Sequence, residues 1–273
     1  MASLLAVAVV MLFAFIVLWA GGTPPPPEKP VPRDPPQLAA SLVTTTRDLD
    51  EAIDRWRATA QATTPQDVTL DALYQQRIYI VLTANPRLSR AVLGRLPAGV
   101  EREARDEIGA RRTLARLSRP RPLSAFRVGR AEPAVRLRRY YVEAERRFGV
   151  SWGMLAAVNY VESAYNKLRN ASSAGAQGPM QFLPSTWRAY GLGGNIHDPH
   201  DAILGAANYL HANGAPRDYR RALYHYNPSW SYVSAVLRYA RLIRADARAY
   251  YVFYSRQVFV RTPHGLVRLT GPR

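Results

Sequence analysis

Apolar residues recur at intervals of three and four along most of the chain from Gln37 to Tyr254, and that spacing restricts it to a mainly helical body. Leu42, Leu49, Ile53 and Trp56 fall on one face of a first helix, and Leu70, Leu73, Tyr74, Ile78 and Val81 on one face of a second. Asn85-Pro86 pairs an N-cap with a proline at the first helical position, so a third helix starts there. A fourth runs through Val100, Ala104 and Ile108 to Leu114 and Leu117. The pattern lapses over Ser118–Pro133, where the main boundary is placed, and resumes from Ala134 to Phe148, with Gly149 as the stop. Ser151 caps the next helix, and one long final helix is expected from Tyr232 to Tyr254. Gln257–Leu269 alternates around Pro-His-Gly, which is the pattern of a β-hairpin.

The body has to hold together without disulfides, because there is no cysteine among the 273 residues, and a thiolate metal site is excluded for the same reason. A hydrophobic share of 48% argues for a packed core rather than disorder. The net charge of +17 comes almost wholly from arginine, since Lys29 and Lys167 are the only lysines. Such a charge attracts polyanions: nucleic acid, anionic lipid or an acidic cell wall. A nucleic-acid module would need a basic recognition helix or a fold signature, and neither is present, so no nucleic-acid partner is expected.

Residues 1–22 are expected to be a membrane anchor or signal segment. Leu4–Ala20 is uncharged and free of helix breakers, at the short end of what spans a bilayer. An uncleaved anchor is preferred, because the apolar run is long and lacks a basic leader; Ala20 and Gly22 keep signal cleavage open. Lys29 and Arg33, just after the run, would by themselves leave the body in the cytoplasm. Residues 23–37 form a proline-rich linker, and Pro24–Pro36 in polyproline II would reach about 40 Å.

The chemistry centres on Glu162. On a helix it shares a face with Val158 and Leu155, a stripe that belongs in a core. Partial burial and the negative end of the helix both disfavour its charged form, so this carboxyl can stay protonated near neutral pH and serve as a general acid. A buried Glu paired with one of the many arginines is the competing reading. Downstream, Asn170–Trp187 supplies a small-residue loop that lets backbone approach a ligand. Gln181 adds an amide donor and acceptor suited to sugar hydroxyls and N-acetyl groups. Tyr224–Tyr232 supplies tyrosines able to stack on sugar faces or simply to fill the core.

Taken in order, Glu162-Ser163, Gly178-Pro179-Met180-Gln181-Phe182, Ala207-Asn208-Tyr209 and Tyr226-Asn227 resemble a lytic transglycosylase. The "MQF-x-PSTW" block followed by "DP-x-DAI-x-x-AANYL" is similar to the membrane-bound type B group, and the likeness covers about Ala134 to Leu242. The resemblance implies a lysozyme-like fold and cleavage of the β-1,4 bond between N-acetylmuramic acid and N-acetylglucosamine in peptidoglycan strands. It implies that Glu162 alone acts first as acid and then as base, closing a 1,6-anhydro ring on the muramic sugar. It further implies that Ser172 and Gln181 line the site beside the acid. Tyr226 and Asn227 would reach toward the carboxyl and the bound N-acetyl group, with Tyr209 and Tyr232 as aromatic walls of the sugar groove.

No cofactor is expected. Tyr190–Pro199 lacks the ladder of a calcium loop, and His197, His200, His211 and His225 lack metal-ligand spacing, so no metal is expected either. Asp198-Pro199 with Asp201 has the pattern of a helix N-terminus.

The resulting division is an anchor or signal over 1–22, a linker over 23–37 and a helical region of unassigned role over 38–118. A catalytic domain over 134–256 and a hairpin and tail over 257–273 complete it. A peptidoglycan substrate requires the body to lie outside the cytoplasm, anchored or released. A hydrolase on the same fold and a non-catalytic wall-binding scaffold remain the alternatives.

Overall fold

The computed structural model describes residues 23–59 and 61–272. The anchor or signal segment expected over 1–22 lies outside the described residues; among those described, no helix is long and apolar enough to cross a membrane. Among the described residues the fold is mainly α, with one two-stranded antiparallel sheet.

The first half comprises α1 (Pro35–Thr59), α2 (Gln66–Ala84), α3 (Pro86–Leu93) and α4 (Ala98–Leu117). Leu42, Leu49, Ile53 and Trp56 are all buried, as their common face requires. Asn85 caps α3 by accepting from the Leu88 amide at 3.0 Å, a contribution of about 1 kcal/mol. After a 3-10 turn at Leu123–Ala125 come α5 (Ala134–Phe148), α6 (Trp152–Ser163), α7 (Pro184–Tyr190), α8 (Pro199–Ala212) and α9 (Tyr219–Tyr226). Gly149 ends α5 at φ 71°, the left-handed region that suits glycine, and Ser151 caps α6 through the Met154 amide.

The single long helix expected over Tyr232–Tyr254 is two helices, α10 (Trp230–Ala245) and α11 (Arg248–Ser255). Asp246 takes an extended conformation, and its carboxylate accepts from both the Arg248 amide and Arg248 Nε at 2.8 Å. This local hydrogen bonding competes with continuation of the helix. The strands β1 (Phe259–Thr262) and β2 (Gly265–Arg268) form the expected hairpin, with Phe259 opposite Arg268 and Thr262 opposite Gly265.

One buried cluster joins the two halves of the chain. Ile53, Trp56 and Ala110 from the first half pack with Leu137, Tyr141 and Leu155 from the second, and α4 runs against α10. A smaller apolar cluster lies within α1–α4, around Leu38, Tyr79 and Val92. At the seam, Arg256 and Glu107 are 2% and 1% exposed and pair at 2.7 Å. Arg256 also reaches the Gln75 side chain at 3.4 Å and the Tyr160 hydroxyl at 3.3 Å, and Arg111 makes a second ion pair with Glu107. A buried charge is tolerable only when paired, and this set ties α2, α4 and α6 to the segment after α11.

The proline-rich segment is held against the body rather than standing free of it. Arg77 donates to the carbonyls of Pro27 and Lys29, Tyr74 donates to Pro30, and Glu28 pairs with Arg268 at 2.8 Å. α1 begins at Pro35, inside the span expected as linker.

Candidate active site

Glu162 occupies the last turn of α6. Val158 and Leu155 on its stripe are fully buried, whereas Glu162 is half-buried and lines a groove. Immediately after it the chain reverses through Ala164, Tyr165 and Asn166, all at positive φ (50°, 63° and 66°) with no glycine among them. Such residues cost about 1 kcal/mol or more each, so something must hold them. Ser163 does so: its hydroxyl accepts from the Asn166 amide at 2.8 Å and donates to the Pro179 carbonyl at 2.6 Å. Tyr165 is fully buried beneath the turn. Ser163 therefore sets both the position of the carboxyl and the distance to the Gly178–Phe182 loop.

Within that loop Gly178 is required. It has φ 75°, and a Cβ there would lie 1.9 Å from the Ile196 carbonyl oxygen. Gln181, also left-handed at φ 51°, donates from its side-chain amide to the carbonyls of Asn170 and Gly178 at 3.2 and 3.0 Å. Ser172 lies exposed on the preceding loop, where its hydroxyl accepts from the Ala174 and Ala176 amides. In this structure Ser172 and Gln181 thus organise the loop opposite Glu162 and make no hydrogen bond to it.

The tyrosines form a connected wall. Ser229 caps α10 through the Tyr232 amide, and this places the Tyr232 ring under the carboxyl. The Tyr232 hydroxyl donates to Glu162 Oε1 at 2.6 Å. The Tyr226 ring lies nearly parallel to that of Tyr232 at 6.5 Å, and its hydroxyl donates to the Met180 carbonyl at 2.6 Å. Tyr209 meets Tyr226 edge-on at 5.6 Å and Tyr190 edge-on at 4.8 Å, while Phe182 packs against Tyr226 at 5.8 Å. The partner of the carboxyl is therefore Tyr232, which the sequence reading placed in the wall, and not Tyr226. Asn227 is the C-cap residue of α9, with its side chain in no hydrogen bond among the described residues.

Burial pushes the Glu162 carboxyl up to about 7, against the Tyr232 hydrogen bond, which favours the charged form and acts downward. The same burial and the nearby Glu162 charge push the Tyr232 hydroxyl well above its ordinary range. Among the described residues no arginine or lysine pairs with Glu162, and no second carboxylate contributes to its shift. The competing picture of a structural Glu–Arg pair does not describe this site. The arrangement supplies one carboxyl whose proton is shared about evenly between bound and free forms at neutral pH, a hydroxyl fixing one of its oxygens, and an aromatic wall beside it.

A groove of about 990 Å³ that the sequence did not announce adjoins Glu162 and is lined by none of Tyr209, Tyr226 and Tyr232. Besides Glu162 it is lined from α2, α4 and the hairpin, including Thr83, Arg112 and Arg261. These contacts join positions far apart in the chain, and no local pattern announces them. Elsewhere, donor atoms of Asp198, His200 and Asp201 lie within 4.8 Å of one another. They belong to the start of α8: Asp198 accepts from the His200 and Asp201 amides, as a cap does, and Asp201 accepts from the Asn195 amide.

The family described as Transglycosylase SLT domain matches residues 139–241, which include Glu162, Gln181, Tyr209, Tyr226 and Tyr232. "Membrane-bound lytic murein transglycosylase F 1" of Alkalilimnicola ehrlichii is 29% identical over 159 residues, covering 53% of this chain and 32% of that protein. "Membrane-bound lytic murein transglycosylase F" of Thiobacillus denitrificans is 31% identical over 149 residues, covering 52% and 31% respectively. Both relatives are named F, not type B. The chain spans about a third of the length of these curated relatives. No solved structure matches.

Proposed function

We propose that the chain, whose residues 139–241 carry a transglycosylase SLT domain, is a lytic transglycosylase that cleaves peptidoglycan glycan strands with Glu162 as its single acid and base. The observation that carries this reading is the half-buried Glu162 carboxyl, raised to about 7 by burial, bonded to Tyr232 and free of any cationic partner among the described residues. A carboxyl that is protonated near neutral pH can give up its proton in one step and take one back in the next.

The reaction divides between the carboxyl and the substrate. The Glu162 proton passes to the glycosidic oxygen as the bond from that oxygen to C1 of the muramic sugar breaks. The substrate's own N-acetyl carbonyl oxygen closes on C1 and holds the developing positive charge. Glu162, now a carboxylate, takes the proton of the C6 hydroxyl, and the C6 oxygen displaces the N-acetyl oxygen at C1. The product is a 1,6-anhydro muramic end; Glu162 is restored and no water is consumed. A second protein carboxylate, which most glycosidases need, has no step to perform.

Tyr232 holds one carboxyl oxygen and leaves the other for the substrate. Tyr209 and Tyr226 offer faces and edges on which sugar rings can stack. Asn227, Gln181 and Ser172 are the polar groups assigned to N-acetyl and hydroxyl contacts; Gln181 and Ser172 would reach them by exchanging the loop bonds they make in this structure. The relatives' printed description as membrane-bound, together with the apolar Leu4–Ala20 stretch, supports a body tethered to the cytoplasmic membrane and facing the wall. Export with signal cleavage would place it on the same substrate.

The test is Glu162→Gln on purified wall. The variant is expected to lose turnover and still sediment with the wall. Retained clearing activity would overturn the assignment of the acid.

A further inference from the structure

The groove that ends at Glu162 has a wall contributed from outside the matched SLT span. Ile80 and Thr83 come from α2, Arg112 and Arg116 from α4, and Arg261 and Leu266 from the hairpin. This wall is built into the fold. Gln76 and Gln257 exchange two hydrogen bonds, 2.8 and 2.9 Å, which seat the base of the hairpin on α2. Arg261 Nη1 donates to the Ala115 carbonyl at 3.0 Å, which pins the hairpin to the end of α4, and the Arg261 carbonyl accepts from the Arg121 amide at 3.1 Å.

Its charge is one-sided. Four arginines, at 111, 112, 116 and 261, line the groove, and Glu162 is the only acidic residue among the lining groups. Arg111 is matched by Glu107. Arg112 donates from Nε and Nη2 to the carbonyls of Thr83 and Leu82, which close the end of α2 but supply no negative charge. Among the described residues, no carboxylate lies within ion-pair distance of Arg112, Arg116 or Arg261. The same lining carries aliphatic side chains, Ile80, Leu114, Val161, Val258 and Leu266, beside polar ones such as Thr83, Ser118 and Thr262. A neutral sugar chain has no use for three uncompensated cations. A short peptide with methyl side chains and several carboxylates uses both the cations and the aliphatic surface.

We propose that this arginine-lined extension binds the anionic stem peptide carried by the muramic residue next to the scissile bond, so that α2, α4 and the hairpin select peptide-substituted glycan. The proposal rests on the lytic transglycosylase reading of Glu162. It gives the first half of the chain a function: to hold one side of the substrate groove.

The experiment compares the full chain with the double variant Arg116→Ala/Arg261→Ala on two substrates. One is wall glycan bearing its stem peptides; the other is the same glycan stripped of them by an amidase. The ratio of kcat/KM for the peptide-bearing over the stripped glycan is expected to fall about tenfold in the variant, chiefly through KM. The Arg116→Lys/Arg261→Lys variant is expected to recover part of it. A ratio unchanged by the alanine pair, with the wild-type chain cleaving both glycans, overturns the peptide subsite and leaves the cleavage reading standing. Failure of the wild-type chain to cleave either glycan overturns both.

Discussion

Replacing Tyr232 by phenylalanine removes one hydroxyl and leaves the ring, so it isolates the bond to Glu162 Oε1, 2.6 Å long. A hydrogen bond to a charged acceptor is worth ~1.5–3 kcal/mol and one to a neutral acceptor ~0.5–1.5 kcal/mol. The ionised form of Glu162 therefore loses about 1–1.5 kcal/mol more than the protonated form. At about 1.4 kcal/mol per pH unit that difference moves the carboxyl up by about one unit. Burial, which already places Glu162 at about 7, is unchanged by the substitution and acts in the same upward direction. In the proposed reaction the form that starts the cycle carries the proton, so kcat/KM is expected to fall as pH rises through the carboxyl's pKa. The alkaline limb of kcat/KM on soluble glycan, followed from pH 5 to about 9, is expected to move up by about one unit in Tyr232→Phe. A limb that stays put or moves to lower pH would refute the view that Tyr232 tunes this carboxyl.

Two further outcomes concern stability. A carboxyl raised in the folded state destabilises the fold once pH exceeds its unfolded value near 4.5, and the full effect is present above about 7. Glu162→Gln should then melt higher than wild type at pH 8 and equally at pH 4, by at most about 2–3 kcal/mol for a half-buried group; equal melting at both pH values would contradict the burial of this carboxyl. At the seam, Glu107→Gln leaves Arg256 buried without its counter-charge and should cost about 3–5 kcal/mol in chemical denaturation. A loss under about 1 kcal/mol would mean that the pair does not join the two halves.

Features written in neighbouring residues were legible in the sequence. The caps at Asn85, Ser151 and Asp198 and the stop at Gly149 each depend on one side chain or one φ value, and each stands where its residue type placed it. The position of Glu162 was legible because Val158 and Leu155 lie one and two turns before it. Features that depend on distant partners were not. Glu107 and Arg256 lie 149 positions apart, and neither differs locally from the many exposed charges around it. The turn at Ala164–Asn166 contains no glycine to betray its left-handed backbone; it exists because Ser163 and the buried Tyr165 hold it. The break at Asp246 was hidden because apolar periodicity continues on both sides of it, and the competing hydrogen bonds come from Arg248. Tyr232 was expected on the groove wall, yet only the packing of α10 against α6 shows that it reaches the carboxyl.

The proposed reaction has a single carboxyl close the muramic ring on itself instead of admitting water. Mass spectrometry of the soluble products released from purified wall tests it most directly. Muropeptides ending in 1,6-anhydro muramic acid, one water lighter than hydrolytic fragments and resistant to borohydride reduction, are expected. Products with reducible muramic ends would contradict it and assign the same groove to a hydrolase.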